Sequence, residues 1–160
     1  MTDSAHANRK ILATNRKAFR DYFVDERLEA GLVLLGTEVK SLREGDVNLT
    51  GSFIRIVNGE AMLFGTNIKP YAFGNQFNHE PDRPRTLLLH RREIGRMKAR
   101  QEQQGCALIP LSLYFRRGRA KLEIGICRGK QKSDKREALR KKETDREVAR
   151  AMRQRQHTRT

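Results

Sequence analysis

The sequence has few of the features that identify membrane, secreted or metal-binding proteins. Its 160 residues include no tryptophan and only two cysteines, Cys106 and Cys127. No apolar run approaches the roughly 20 residues of a membrane-spanning helix, and the N-terminus lacks the apolar core of a signal peptide, so we expect a cytoplasmic protein. Cysteines in that compartment rarely form structural disulfides, and these two match no metal spacing. We therefore predict that both are small core residues of two strands.

Catalytic motifs are scarce as well. The four histidines show no metal-ligand spacing and no accompanying cluster of cysteines or carboxylates. Gly129-Lys130 does not belong to a P-loop, because Ile124 stands where the first glycine of that motif belongs and Gln131 where its hydroxyl belongs. The sequence therefore predicts neither an enzyme nor a bound metal or cofactor.

The carboxylates of the sequence do not exclude one class of enzyme, the metal-dependent nucleases. Glu29, Glu38 and Asp46 could in principle converge on a metal ion, as carboxylates do in nucleases. At such spacing, however, carboxylates with a structural role are much the commoner outcome.

Positive charge is what the sequence has in excess. The chain carries 34 Lys and Arg against 19 Asp and Glu, a formal net charge of +15 at pH 7. Such an excess favours a polyanion as partner, and nucleic acid is the first candidate. The length allows one domain of roughly 100 to 130 residues with one or two tails.

The hydrophobic period changes within residues 31–43, which read GLVLLGTEVKSLR. A strand-length apolar run ends at Gly36, and Thr37 could then serve as the N-cap of a short helix. Val39 and Leu42 lie three residues apart on one face of that helix. A helix with so narrow an apolar stripe is not stable alone, so we expect it to pack against the strands around it.

Two hairpins are predicted from turn signals. Asn58-Gly59 separates two strand-like runs, and both central residues of a type I′ turn need positive φ, which this pair tolerates. Residues 107–115 and 121–127 form the second pair of runs. Together with the other apolar runs they indicate about six short antiparallel strands and two or three helices, because no strand-helix alternation recurs. We therefore predict a mainly β fold, a closed or nearly closed small barrel occupying residues 21–128.

Both ends of the chain differ in composition from this domain. Residues 1–20 contain one acid and five Lys or Arg, which predicts a flexible basic arm. Residues 129–160 contain twelve Lys or Arg, five acids and no aromatic residue. This tail is predicted to be disordered alone and helical on a polyanion, with Asp134 as a possible N-cap.

Four segments occur together in an order that indicates a known family. They are the basic arm around residues 15–22, GTEVKSLR at 36–43, LLLH at 87–90, and GKQKSDKR at 129–136. In this combination the chain resembles the small protein B family, the SsrA-binding proteins that partner transfer-messenger RNA in bacterial ribosome rescue. The resemblance covers residues 15–152. It implies an oligonucleotide-binding (OB)-type β-barrel that binds the tRNA-like domain of that RNA and has no catalytic role.

The resemblance also implies which residues contact RNA and the ribosome. The contacts to the tRNA-like domain would fall on Asn15, Arg16, Lys17, Arg20, Glu29, Glu38, Lys40, Leu88 and Lys121. The tail would enter the empty mRNA path near the decoding centre of the small subunit, helical there, through Gly129, Lys130, Asp134, Lys135 and Arg136. The chain departs from the family pattern at Phe19 and Arg20 in the arm, at Thr86 and at Ser133. We expect a monomer without a membrane partner.

Without the resemblance, the residues predict a basic barrel with an RNA-binding face and a tail that folds on binding. A structural ribosomal protein or a general RNA-binding protein would show similar charge and similar tails. Such a ribosomal protein should co-purify stoichiometrically with ribosomes, whereas a partner of transfer-messenger RNA should co-purify with one small stable RNA.

Overall fold

The computed structural model describes residues 9–74 and 78–157, without the side chains of residues 132–135, 138, 156 and 157. Within these ranges the chain forms nine strands and four helices. The strands are β1 (Arg9–Thr14), β2 (Tyr22–Leu32), β3 (Val47–Asn48), β4 (Phe53–Val57), β5 (Glu60–Phe64), β6 (Asn67–Ile68), β7 (Arg85–Leu88), β8 (Ala107–Arg116) and β9 (Arg119–Gly129). The helices are α1 (Arg16–Asp21), α2 (Gly36–Arg43), α3 (Arg91–Gln104) and α4 (Lys132–His157).

The fold is mainly antiparallel β, as predicted, but the barrel is not closed. Seven strands pair in the order β1-β8-β9-β2-β7-β5-β4, and β3 pairs with β6 in a separate two-stranded sheet. The first and last strands of the large sheet do not pair with each other. The reason is that β8 already uses one edge for β9 and the other for β1. β4 can therefore pack against β8 but cannot hydrogen-bond to it.

The prediction of a flexible arm over residues 1–20 is wrong for residues 9–20, and residues 1–8 lie outside the described ranges. β1 pairs with β8 from Arg9 to Thr14. Leu12 and Ala13 pack against the core, and Ala18 of α1 is 3% exposed. The excess of basic residues concealed this short apolar segment, which needs β8 as a partner before it can order. The strand count exceeds the predicted six because β1 is a further strand and because β3 and β6 have only two residues each.

The core lies on one face of the large sheet, because side chains alternate between faces along each strand. Leu122, Ile124 and Ile126 of β9 are fully buried on this inner face. They belong to a cluster that also contains Leu28, Ala30, Leu32, Leu42, Leu49, Ile54, Ala61, Leu63, Ile68, Leu87, Met97, Cys106, Leu108 and Leu113.

A smaller cluster lies on the opposite, outer face. There Ala18 of α1 packs on Ile109, Leu111 and Cys127, so α1 covers one end of this face. Cys127 is in β9, Cys106 lies immediately before β8, and both are buried and free. Burial raises the pKa of the Cys127 thiol to about 11.

Both predicted hairpins are confirmed. β4 pairs with β5 across Asn58 and Gly59, whose φ angles are 50° and 78°. β8 pairs with β9 across Arg117 and Gly118, whose φ angles are 53° and 74°. Two consecutive positive φ values are the signature of the type I′ turn, which matches the twist of the strands that it joins. The second turn therefore holds an arginine in the left-handed region at its tip.

The chain divides after Gly129 into two compact units, residues 1–129 and 130–160. The second unit consists mainly of α4, whose described side chains are exposed. α4 begins at Lys132, so Asp134 lies in its first turn and is not the predicted N-cap. Disorder of the free tail stays a prediction. Among the described residues, no helix is long and apolar enough to cross a membrane.

Candidate nucleic-acid interface

The part of the outer face that α1 leaves uncovered collects three predicted contact residues. Gly31 of β2 lies between Lys121 of β9 and Leu88 of β7 in the strand register, so all three project from the same face. Glu29 lies two residues before Gly31 and shares that face. Leu88 is 59% exposed, although it is a leucine in a strand. The sheet thus places Glu29, Leu88 and Lys121 next to one another.

Lys121 lies beside three arginines at the β8–β9 turn. An open cavity of about 410 Å³ is lined by Glu29, Arg116, Arg117, Arg119 and Lys121, and we call it the basic groove. Its lining carries four cations and one carboxylate. Arg117 and Arg119 are exposed, and guanidinium groups present paired donors that match phosphate oxygens. The groove is therefore suited to the phosphate backbone of a nucleic acid.

Glu29 does not oppose phosphate as a free anion would. Its carboxylate accepts hydrogen bonds from the Tyr114 hydroxyl at 2.5 Å and from Arg116 Nη1 at 3.1 Å, and Arg9 Nη2 lies 3.6 Å away. Burial acts to raise the pKa of Glu29, but these hydrogen bonds and the charges of Arg116 and Arg9 outweigh it, so the pKa lies below its usual value. Glu29 thus orients Arg116 at the edge of the groove.

Tyr114 is the counterpart of Glu29 in this arrangement. The residue is fully buried, and burial together with the hydrogen bond to Glu29 raises the pKa of its phenol. Sequence analysis identified neither Tyr114 nor Arg116. Alternation along β8 could have found them, since both are outward-facing residues two apart beside the turn.

Asn15 has a structural position, and its contact with RNA stays a prediction. Its side chain is the N-cap of α1, where Oδ1 accepts from the backbone N–H of Ala18 at 3.2 Å and Nδ2 donates to the carbonyl of Pro110 at 2.9 Å. The residue is 3% exposed. Asn15 therefore fixes α1 onto β8, and both polar atoms of its amide are already hydrogen-bonded.

Glu38 is a second predicted contact with a buried, structural position, and its contact with RNA likewise stays a prediction. Its residue is 0% exposed, and its carboxylate pairs with Arg83 and with Arg85 Nε, the latter at 2.5 Å. It also accepts from the backbone N–H of Leu35 at 2.9 Å, which makes Leu35 and not Thr37 the N-cap of α2. Burial acts to raise the pKa of Glu38, but the hydrogen bonds from Arg83, Leu35 and Arg85 keep it below its usual value.

The two arginines that hold Glu38 are not among the residues predicted from the sequence. Arg85 is 0% exposed and also donates to the carbonyl of Thr66 at 2.6 Å. The strand pattern could have indicated that Arg85 is buried, because Arg85 and Leu87 lie two residues apart and face inward together in β7. A buried arginine needs a buried carboxylate, and Glu38 is that carboxylate. Glu29 and Glu38 are thus each engaged by different arginines.

The remaining predicted contacts of the first unit are exposed cations on two helices. Arg16, Lys17 and Arg20 lie on α1, so they border the outer face. Arg20 forms an exposed ion pair with its neighbour Asp21 at 3.3 Å. Lys40 lies on α2, where its Nζ is 5.5 Å from the centre of the Tyr71 ring. The structure thus brings the α1 residues to the sheet face that holds Lys121.

The predicted tail residues occupy the end of β9 and the start of α4. Gly129 is the last residue of β9, and Lys130 follows it before the helix. Asp134 and Lys135 lie in the first turns of α4 by their backbone, and Arg136 is exposed there. Among the described residues, no group of three or more His, Cys, Asp or Glu could hold a metal ion.

Comparison with known proteins places the chain in a family. A profile of the SmpB protein family matches residues 12–154. An SsrA-binding protein of Syntrophotalea carbinolica is 54% identical over 146 residues, which cover 91% of this chain and 97% of that protein. An SsrA-binding protein of Geobacter sulfurreducens is 51% identical over 145 residues, which cover 91% and 95%.

A solved structure supports the same placement. It is described as "tmRNA-SmpB: a journey to the center of the bacterial ribosome", and its matching chain is 47% identical with a TM-score of 0.64. The match covers 80% of this chain and 94% of that one. With the family profile spanning most of the sequence and relatives above 50% identity, the chain belongs to the SmpB family of SsrA-binding proteins.

Proposed function

We propose that this chain binds transfer-messenger RNA (SsrA RNA) and delivers it to stalled ribosomes in trans-translation. Its relatives are SsrA-binding proteins, and its structural relative is described with both that RNA and the ribosome. The observation that carries the proposal is the basic groove, where Arg116, Arg117, Arg119 and Lys121 surround a single carboxylate that is already paired.

The first unit supplies the RNA-binding surface. Phosphates bind the basic groove and the exposed cations of α1, which accounts for affinity and for its salt dependence. Leu88 adds an apolar contact beside Lys121, where a sugar or base edge can pack. Within the RNA, the tRNA-like domain is the part that this surface binds. Asn15 and Glu38 act indirectly, because they fix α1 and α2 to the sheet.

The second unit acts on the ribosome. Its helix α4 carries basic side chains through most of its 26 residues, and a basic helix can follow the phosphates of ribosomal RNA. Gly129, Lys130, Asp134, Lys135 and Arg136 are the residues proposed to enter the empty mRNA path of the small subunit. The protein works by binding alone, as a monomer in the cytosol, without catalysis.

Sequencing the RNA that co-purifies with the protein tests this function. A tagged chain purified at physiological salt should retain one small stable RNA, identified as SsrA RNA. Recovery of ribosomal RNA and ribosomal proteins in equal amounts would instead support a structural ribosomal protein. Incubation with Mg²⁺ and RNA should leave the RNA intact, and cleavage products would contradict a function by binding alone.

A further inference from the structure

A second, smaller pocket lies on the outer face between α1 and the basic groove. Its volume is about 270 Å³, at the lower end of small-molecule sites, so it has room for a single flat ring system. Side chains from β1, α1, β2, β8 and β9 line it. They include Arg9, Ile11, Phe19, Arg27, Ser112 and Glu123.

Two apolar side chains form exposed walls of this pocket. Ile11 is 62% exposed and Phe19 is 37% exposed, although both belong to ordered elements beside a well-packed cluster. Arg27 lies over the Phe19 ring, with its guanidinium carbon 5.6 Å from the ring centre. Proteins hold unpaired bases by stacking them on an aromatic ring or a guanidinium plane, and this pocket offers both groups.

Both arginines of the pocket are paired with one carboxylate. Glu123 accepts from Arg27 Nη1 at 2.9 Å and from Arg9 Nη1 at 3.2 Å. The pocket thus has an excess of one positive charge, against three in the basic groove, and is the less suited of the two to phosphate. The hydroxyl of Ser112 adds a donor and acceptor beside the pair. These polar groups can bind the edge of a neutral heterocycle whose faces meet Ile11 and Phe19.

The pocket and the basic groove are connected through Glu29 and Arg9. Arg9 lies 3.6 Å from Glu29, which lines the groove, and 3.2 Å from Glu123, which lines the pocket. An RNA strand with its phosphates in the groove would thus pass beside the pocket. We propose that this pocket binds one unpaired nucleobase of the RNA, stacked on Phe19. The proposal rests on the proposed function and deepens it.

Tryptophan fluorescence tests the stacking directly, because the chain contains no tryptophan. The Phe19→Trp variant places one indole in the wall of the pocket, and stacking of a base should quench it when SsrA RNA is added. Phe23→Trp is the matched control, since Phe23 of β2 is 40% exposed, has Arg128 5.7 Å over its ring and faces the side of the sheet opposite to the pocket. Its emission should change little.

Affinity provides the second measurement. Phe19→Ala and Phe19→Leu should each weaken binding of SsrA RNA about tenfold without changing the salt slope, because they remove a ring but no charge. Phe23→Ala should bind as the wild type does, and thermal melts confirm that each variant folds.

The outcomes separate this proposal from the proposed function. Failure of the wild-type chain to bind SsrA RNA would overturn the function itself. The proposal of a nucleobase pocket alone would be overturned if the wild type binds SsrA RNA while the fluorescence of Phe19→Trp is not quenched and Phe19→Ala keeps full affinity. Quenching by ribosomes free of SsrA RNA, without quenching by that RNA, would also overturn the assignment, because the occupant would then belong to the ribosome.

Discussion

Tyr114 donates its buried hydroxyl to the carboxylate of Glu29 across 2.5 Å, and so links β8 to β2 beneath the basic groove. Glu29 in turn binds Arg116 at 3.1 Å. Glu29 is negatively charged, as RNA is, and yet it positions Arg116, a cation that lines the basic groove.

Replacement of Glu29 by arginine should weaken binding of SsrA RNA about tenfold, although it makes the protein more positive by two charges. The change removes the acceptor of Tyr114, releases Arg116, and leaves a buried hydroxyl unsatisfied. The control is Glu60→Arg, which makes the same charge change at an exposed position of β5. Titration at physiological salt checks the effect, and tighter specific binding of Glu29→Arg would contradict it.

Removal of the Lys121 charge should flatten the salt dependence of binding. Each phosphate neutralised contributes roughly 0.7 to 0.9 to the log-log slope, so Lys121→Ala should lower the slope by about that amount. Lys98→Ala removes an exposed lysine from α3, away from the outer face, and should leave the slope unchanged. Equal slopes for the two variants would place Lys121 outside the interface.

Glu38→Gln should destabilise the first unit by about 3 to 5 kcal/mol. The substitution leaves Arg85 buried without its counterion, and breaking one side of a buried pair costs about that much. Glu44→Gln, at an exposed residue beside the same helix, should stay within about 0.5 kcal/mol of the wild type. Urea unfolding measures both, and a difference below about 1 kcal/mol would contradict the buried-pair interpretation.

Acid should remove the contribution of Glu38. Its pKa in the folded chain lies below the ordinary value of 4.5. A group with a depressed pKa stabilises the fold above its unfolded value, and this stabilisation is lost as pH falls through the folded pKa. The stability difference between the wild type and Glu38→Gln should therefore be full at pH 6 and decrease below about pH 4.5. A difference that stays constant down to pH 3 would contradict the assignment.

The two units of the chain should have different functions, RNA binding in the first and action on the ribosome in the second. A chain that ends at Gly129 should keep most of its specific RNA binding near physiological salt, where the Debye length is about 8 Å, and should lose support for tagging of stalled peptides. The removed residues carry twelve Lys or Arg and five acids, so non-specific binding at low salt should fall.

Within the tail, a triple replacement distinguishes sequence from charge. Asp134→Ala with Lys135→Ala and Arg136→Ala should bind RNA nearly normally and fail in a reconstituted tagging assay. The control replaces Arg146, Glu147 and Arg150 by alanine, which removes the same net charge from α4. Equal loss of binding and tagging in the first variant would show that the tail is another RNA clamp.

Local signals predicted the hairpins because a two-residue turn fixes its own geometry. Asn58-Gly59 needs no distant partner to adopt positive φ. The short apolar segment of β1 depends instead on β8, which lies roughly 90 residues further along the chain, so its strand could not be inferred from composition. The open barrel follows from the same pairing, since β1 occupies the edge that would have closed it.

The sequence indicates the exposed side chains of the candidate site better than the buried ones. Lys121, Leu88 and the α1 cations lie at the surface, as a contact with RNA requires, and their contacts stay predictions. Glu38 resembles them in sequence but meets Arg83 and Arg85 inside the fold. Only the tertiary structure shows that the carboxylate of Glu38 is already paired, because its partners lie more than 40 residues away in the sequence.

The pairing of the first strands with the last has a consequence for the order of events during synthesis. β1 and β2 need β8 and β9, which are translated roughly 5 to 20 s later at about 5 to 20 residues per second. Arg9, Glu29, Tyr114 and Arg116 therefore meet only when the last strand has left the ribosome. A nascent chain of this protein remains unable to capture its RNA until it is almost complete.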